Sequence, residues 1–168
     1  MRTFVIDLIV YGMPAPQGSK KFVGRTATGR GIITNTSNKT EPWRNDVMAQ
    51  CIRFMDNDIN FEPFTCAVAV SMVFTFLRPK SVSVTKRPYC STAPDLCKLA
   101  RSTEDAISAS GLWHDDALVV DYRRLAKVYA GEDEDALPRA GARIRIWAKP
   151  TRVITLGNKM DRPAIEAA

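Results

Sequence analysis

The sequence predicts a single α/β domain of the α+β kind, a mixed β-sheet packed by two helices. Three observations lead there. A chain of 168 residues can bury one proper core and is too short for two. Its 45% hydrophobic and 25% charged content is that of a folded globular protein. Its apolar residues recur at the strand period in some segments and at the helix period in others, in the order β, basic loop, α, β, loop, α, β, β.

Phe4 to Val10 is short, β-branched and bounded by Gly12 and Pro14, which predicts the first strand. Gly12 to Gly31 is rich in Gly and Pro and carries Lys20, Lys21, Arg25 and Arg30, a basic loop or loose hairpin. Trp43, Val47, Cys51, Phe54 and Met55 at helical spacing predict a helix over 41–55, with Thr40 able to cap it and Asp56-Asn57-Asp58 to stop it. The unbroken β-rich and largely apolar run from Cys66 to Phe76 predicts a central strand. A Pro-rich loop over 78–94 follows, then a helix over 96–110 with a thin stripe of Leu99, Thr103, Ala106 and Ile107, ended by Gly111 in the left-handed conformation. Strands are predicted over 117–128 and 142–148, joined by the acidic connector Gly131 to Asp135. Residues 1–149 form the expected domain; 150–168 lack a period and read as a peripheral tail.

No apolar run approaches the roughly 20 residues that span a bilayer, so a cytoplasmic protein without membrane contact is expected. Cys51, Cys66, Cys90 and Cys97 show no C-x-x-C spacing and His114 is the only histidine, which argues against structural zinc and for reduced thiols. The net charge of +6 favours a polyanionic partner. Lys20, Lys21, Arg25 and Arg30 are candidates for backbone contacts to DNA, with a solvated loop as the equal alternative. Arg123, Lys127, Arg143 and Arg145, at alternate strand positions, form either a basic sheet face or ordinary solvent-facing positions. Trp43, Trp113 and Trp147 read as core or interface anchors, and the Gly18-Ser19-Lys20 tripeptide lacks P-loop spacing.

The chemistry-bearing stretch runs from Pro94-Asp95-Leu96-Cys97-Lys98 through Arg101 and Asp105 to His114-Asp115-Asp116. It puts acids before and after one short helix. Mg²⁺ takes oxygen ligands and retains waters, so Asp95, Asp115 and Asp116 would suit it if the following strand returns beside the helix start. Lys98 and Arg101, a turn further along, would then offset phosphate charge. Each residue alone has a plainer reading: Asp95 as a helix cap, Asp115-Asp116 as turn residues, Arg101 and Asp105 as an i,i+4 surface ion pair, His114 as incidental.

At these residues the chain resembles the RusA family of Holliday junction resolvases, common in bacteriophages and prophages. The family pattern of Asp-x-Asp-Asn-Leu, a Lys, Asp-Ala-Leu, Gly and Asp-Asp is met by Asp95-Leu96-Cys97-Lys98-Leu99, Arg101, Asp105-Ala106-Ile107, Gly111 and Asp115-Asp116. Pro14-x-Pro16-Gln17-Gly18-Ser19-Lys20 and Trp43-Arg44 are similar to family members as well, so the resemblance covers most of residues 4–148. It implies a homodimeric, Mg²⁺-dependent endonuclease, with Mn²⁺ a possible substitute, that nicks four-way and other branched DNA symmetrically. It further implies Asp95 and Asp116 as catalytic metal ligands, Asp115 as a ligand or orienting neighbour, and Arg101 in place of the catalytic Lys. Lys98 stands where the family has Asn, and Cys97 where it has its second Asp. A thiol is a soft ligand poorly suited to Mg²⁺, so a junction- or single-strand-binding accessory protein with impaired cutting is the alternative expectation.

Overall fold

In the computed structural model residues 5–18, 20–26, 28–35 and 39–149 are described, of which 5, 20–23 and 31–35 are described in backbone only. The expected tail over 150–168 and the side chains of Lys20 and Lys21 therefore lie outside the described residues.

The elements are β1 (Val5–Tyr11), β2 (Lys20–Arg25), β3 (Gly31–Asn35), α1 (Thr40–Asp56), β4 (Val68–Phe76), α2 (Leu96–Ser110), a 3-10 turn (Asp116–Leu118), β5 (Val119–Tyr129) and β6 (Gly141–Ala148). One mixed sheet runs in the order β1-β6-β4-β5, antiparallel except that β4 and β5 are parallel. A parallel pair needs a crossover, and α2 supplies it. β2 and β3 form a separate antiparallel hairpin with a bulge at Phe22/Gly24, so of the two expectations for this basic stretch, loop or loose hairpin, the hairpin is what forms.

Every residue of β4 from Val68 to Thr75 is buried, which explains its largely apolar run: it lies inside the sheet with both faces covered. Ile6, Leu8 and Val10 of β1, Val70, Met72 and Phe74 of β4, and Ile144 and Ile146 of β6 meet Trp43, Val47 and Cys51 of α1 and Leu99, Ala106 and Ile107 of α2 in one core. Trp43 Nε1 donates to Thr103 Oγ1 at 3.1 Å, so the buried indole ties α1 to α2 and keeps its polar atom satisfied. Trp113 is likewise buried, its Nε1 donating to Ser108 Oγ at 2.6 Å.

Helix starts differ from expectation in an informative way. Thr40 is the first residue of α1 and not its cap; its hydroxyl donates to the Pro16 carbonyl at 2.8 Å, closing the chain at the foot of the hairpin. Gly111 ends α2 with φ 81°, as the sequence predicts.

The sheet face turned away from the helices is covered by the connector after β5. Leu137 is buried there and its N–H donates to Thr75 Oγ1 at 2.9 Å. The register sets Asp7 opposite Arg145, Arg145 opposite Ser71, and Ser71 opposite Arg124. Asp135, with a side chain only 9% exposed, accepts from Arg124 at 2.7 Å and Arg145 at 2.6 Å, while Arg143 and Arg145 also pair with Asp7 and Arg124 with Asp133. The arginines of this face are thus neutralised within the fold. Arg123 packs over the Trp147 ring at 4.1 Å.

Candidate active site

The helix α2 buries Leu99, Ala100, Ser102, Thr103, Ala106 and Ile107. Cys97, Arg101 and Glu104, spaced i, i+4 and i+7, are left along one edge of it. After Gly111 the chain dives once more: Leu112 and Trp113 are buried, and the segment is held by Phe64 N–H to Leu112 O at 3.0 Å and His114 N–H to Phe64 O at 3.1 Å. That tether makes His114, Asp115 and Asp116 emerge into solvent together. Asp115 Oδ1 accepts from Ala117 N–H at 2.7 Å, starting the 3-10 turn that aims β5 back along α2.

Two adjoining clefts result, and Asp116 lines both. One, of about 300 Å³, lies between α2 and β5 and is bounded by Cys97, Arg101, Glu104, Asp116, Tyr122 and Leu125. The other, of about 420 Å³, is bounded by Gln17, Arg44, Asp105, Ser108, His114, Asp115 and Asp116. In the first, the Tyr122 hydroxyl donates to Glu104 Oε1. Burial pushes the Glu104 carboxyl above the ordinary carboxylate range, the Tyr122 hydrogen bond opposes this, and repulsion from Asp116 and Asp105 adds to it. The Tyr122 phenol is raised as well, by burial and by the neighbouring Glu104 carboxylate.

In the second cleft Asp105 does not pair with Arg101. Its Oδ2 accepts from Arg44 Nη2 and, at 3.0 Å, from Gln17 Nε2. Gln17 N–H also donates to the Lys98 carbonyl at 3.0 Å. Asp105 therefore fastens α1 and the hairpin's foot to α2. This role has no local signal, since Gln17, Arg44 and Asp105 are far apart in sequence. Glu104 was discoverable, because it follows Arg101 by one helical turn.

Asp95 occupies the N-cap position of α2 but makes no side-chain cap hydrogen bond. Its carboxylate is exposed, pairs with Lys98 Nζ at 3.2 Å, and lines neither cleft. The structure thus brings Arg101, Asp115 and Asp116 to adjoining clefts and holds Asp95 with Lys98 at the helix start. Among the described residues, no three His, Cys, Asp or Glu side chains converge closely enough to hold a metal ion. Arg25 and Arg30 are exposed on the β2–β3 hairpin.

Residues 12–136 match the family model of Endodeoxyribonuclease RusA. The chain belongs to the RusA endodeoxyribonuclease family. No curated protein matches it. The RusA match takes in both clefts, the hairpin and every residue of the helix–strand unit that frames them. No helix among the described residues is long and apolar enough to cross a membrane.

Proposed function

We propose that this RusA-family chain resolves Holliday junctions or other branched DNA by paired symmetric nicks, as a cytoplasmic homodimer using Mg²⁺ or, in its place, Mn²⁺. The observation that carries this is the placement of Arg101 and Asp116 on one cleft between α2 and β5. A guanidinium opposite a carboxylate in an open cleft suits a phosphodiester: the fork grips non-bridging oxygens while the acid serves the attacking side.

The donor set fits a hard cation in one mode only. Asp115 and Asp116 offer carboxylate oxygens on one surface, enough for Mg²⁺, which commonly takes one or two protein carboxylates and completes its shell with water and phosphate. Among the described residues no third acid, Cys or His joins them in a group that could hold a metal ion. When bound, the cation would supply an activated water and neutralise charge on the reacting phosphate. Asp95 enters as a weaker contributor, its carboxylate engaged by Lys98. Arg101 binds and orients the phosphate. Glu104, whose carboxyl accepts from Tyr122, lines the same cleft as Arg101 and Asp116. Lys20, Lys21, Arg25, Arg30 and Lys98 supply phosphate contacts beyond the cleft.

One observation favours a second reading, that of a catalytically impaired junction- or single-strand-binding accessory protein. Cys97 lines the cleft where the family pattern carries its second Asp. Nicking of a synthetic four-way junction in Mg²⁺ and Mn²⁺ separates the two, with the parent beside Asp116→Asn and Cys97→Asp. The nuclease reading expects the parent to nick, Asp116→Asn to bind the junction but nick it at least ~100-fold more slowly, and Cys97→Asp to gain in Mg²⁺. A parent inert in both metals while Cys97→Asp cuts would establish the binding reading.

A further inference from the structure

The segment joining β4 to α2, residues 77–95, carries Arg78, Lys80, Lys86 and Arg87 and a single acid, Asp95 at its end, which pairs with Lys98. It is nevertheless well anchored. Arg78 lies over the Tyr129 ring at 3.9 Å and donates to Glu132 at 2.9 Å and to the Arg87 carbonyl at 2.5 Å. Lys127 Nζ donates to the Thr92 and Pro94 carbonyls at 2.6 and 2.7 Å. Cys90 is buried. Between these anchors the Tyr89 ring stands 80% exposed. Lys80 and Lys86 are exposed too, and among the described residues neither they nor Arg87 has a salt-bridge partner. Only the end of the segment approaches the cleft: its Thr92 and Pro94 carbonyls are held by Lys127, two residues beyond cleft-lining Leu125 on β5.

We infer that this segment is a second DNA-contacting element, in which Tyr89 stacks on a base exposed where strands part and Lys80, Lys86 and Arg87 neutralise the adjoining phosphates. The inference rests on the branched-DNA reading above and adds a DNA contact outside the two clefts. An aromatic ring stacks on any base face, without sequence preference. A continuous duplex hides its base faces, so the ring distinguishes branched or single-stranded DNA from linear duplex. A second copy of the chain is the other occupant that an exposed Tyr suits. A symmetric contact at this face would set one basic segment, whose single acid is already engaged by Lys98, against its own copy, and that repulsion favours DNA.

The test uses the full chain with a four-way junction carrying 2-aminopurine beside the branch point and a linear duplex of equal length. Tyr89→Ala is expected to weaken junction binding by roughly 5- to 150-fold, the range for one lost stack. It should leave duplex binding within about two-fold, abolish the parent's effect on 2-aminopurine emission, and leave the molecular mass in light scattering unchanged, while Tyr89→Trp restores both junction readouts. Lys80→Ala with Lys86→Ala should lower the slope of log affinity against log salt by about two on both DNAs. Junction binding by Tyr89→Ala equal to the parent's overturns the inference, as does an equal loss on duplex, a halved mass or an unchanged salt slope. These results would leave the nuclease reading intact if the parent still nicks. A parent that binds junction no better than duplex overturns both.

Discussion

The two faces of the molecule use similar side chains to opposite ends. On the outer sheet face Arg124, Arg143 and Arg145 sit against Asp7, Asp133 and Asp135, so that cations and anions answer one another inside the fold. On the α2–β5 side Arg101, Asp115 and Asp116 stand exposed around open clefts, and no ion pair joins them to another described residue. The difference teaches that a basic strand pattern is not a DNA face until its counter-ions are located. Charge left without a protein partner marks where an outside partner belongs.

Removing an answering charge should break the outer face. Asp135→Ala would remove the buried acid shared by Arg124, Arg143 and Arg145, leaving only Asp7 and Asp133 to answer them, and is expected to cost about 2–4 kcal/mol in a urea melt, with nicking per folded molecule unchanged. Loss of nicking without loss of stability would assign that face to DNA after all.

Asp105 sharpens the contrast from within the cleft side, because it is an acid there that the fold already uses. Asp105→Asn weakens the tie among α2, Arg44 and Gln17. These groups are about one-third exposed, so the expected loss is only about 1 kcal/mol by thermal melt. Its nicking rate should stay well above that of Asp116→Asn; equal loss would place Asp105 among the reacting groups.

The smallest effect is one of pH. Arg143 beside Asp7 and Arg124 beside Asp133 hold both carboxyls below the ordinary value of 3.8. Groups shifted down on folding bind their protons more tightly in the unfolded chain, so their stabilisation is complete above about pH 4 and declines as pH falls through the depressed values. Acid titration of the melting temperature should show that decline, and Asp7→Asn should flatten part of it. An unchanged curve for Asp7→Asn would detach the Asp7 pair from stability.

Much of the fold was legible because local patterns report it. The burial of β4, the stripe of α2 and the Gly111 stop each follow from a run, a period or a single residue. Hidden features depend on partners distant in sequence. Nothing in Gly141–Ala148 says that it enters between β1 and β4, and nothing in the acidic connector says that Asp133 and Asp135 fold onto strand arginines. Of the candidate site, Arg101, Asp115 and Asp116 line two adjoining clefts. Asp95 is drawn to Lys98, and Glu104 with Tyr122 completes the cleft through a pairing that needs β5 to run back beside α2.

The most direct measurement compares Arg101→Ala with Arg143→Ala in one junction-nicking assay, at a temperature where both are folded. Each removes one guanidinium, so net charge changes identically. The account predicts that Arg101→Ala loses at least ~100-fold in rate, as expected when a donor aimed at the reacting phosphate is removed, while Arg143→Ala stays within about two-fold of the parent. Equal losses, or a greater loss for Arg143→Ala, would contradict it.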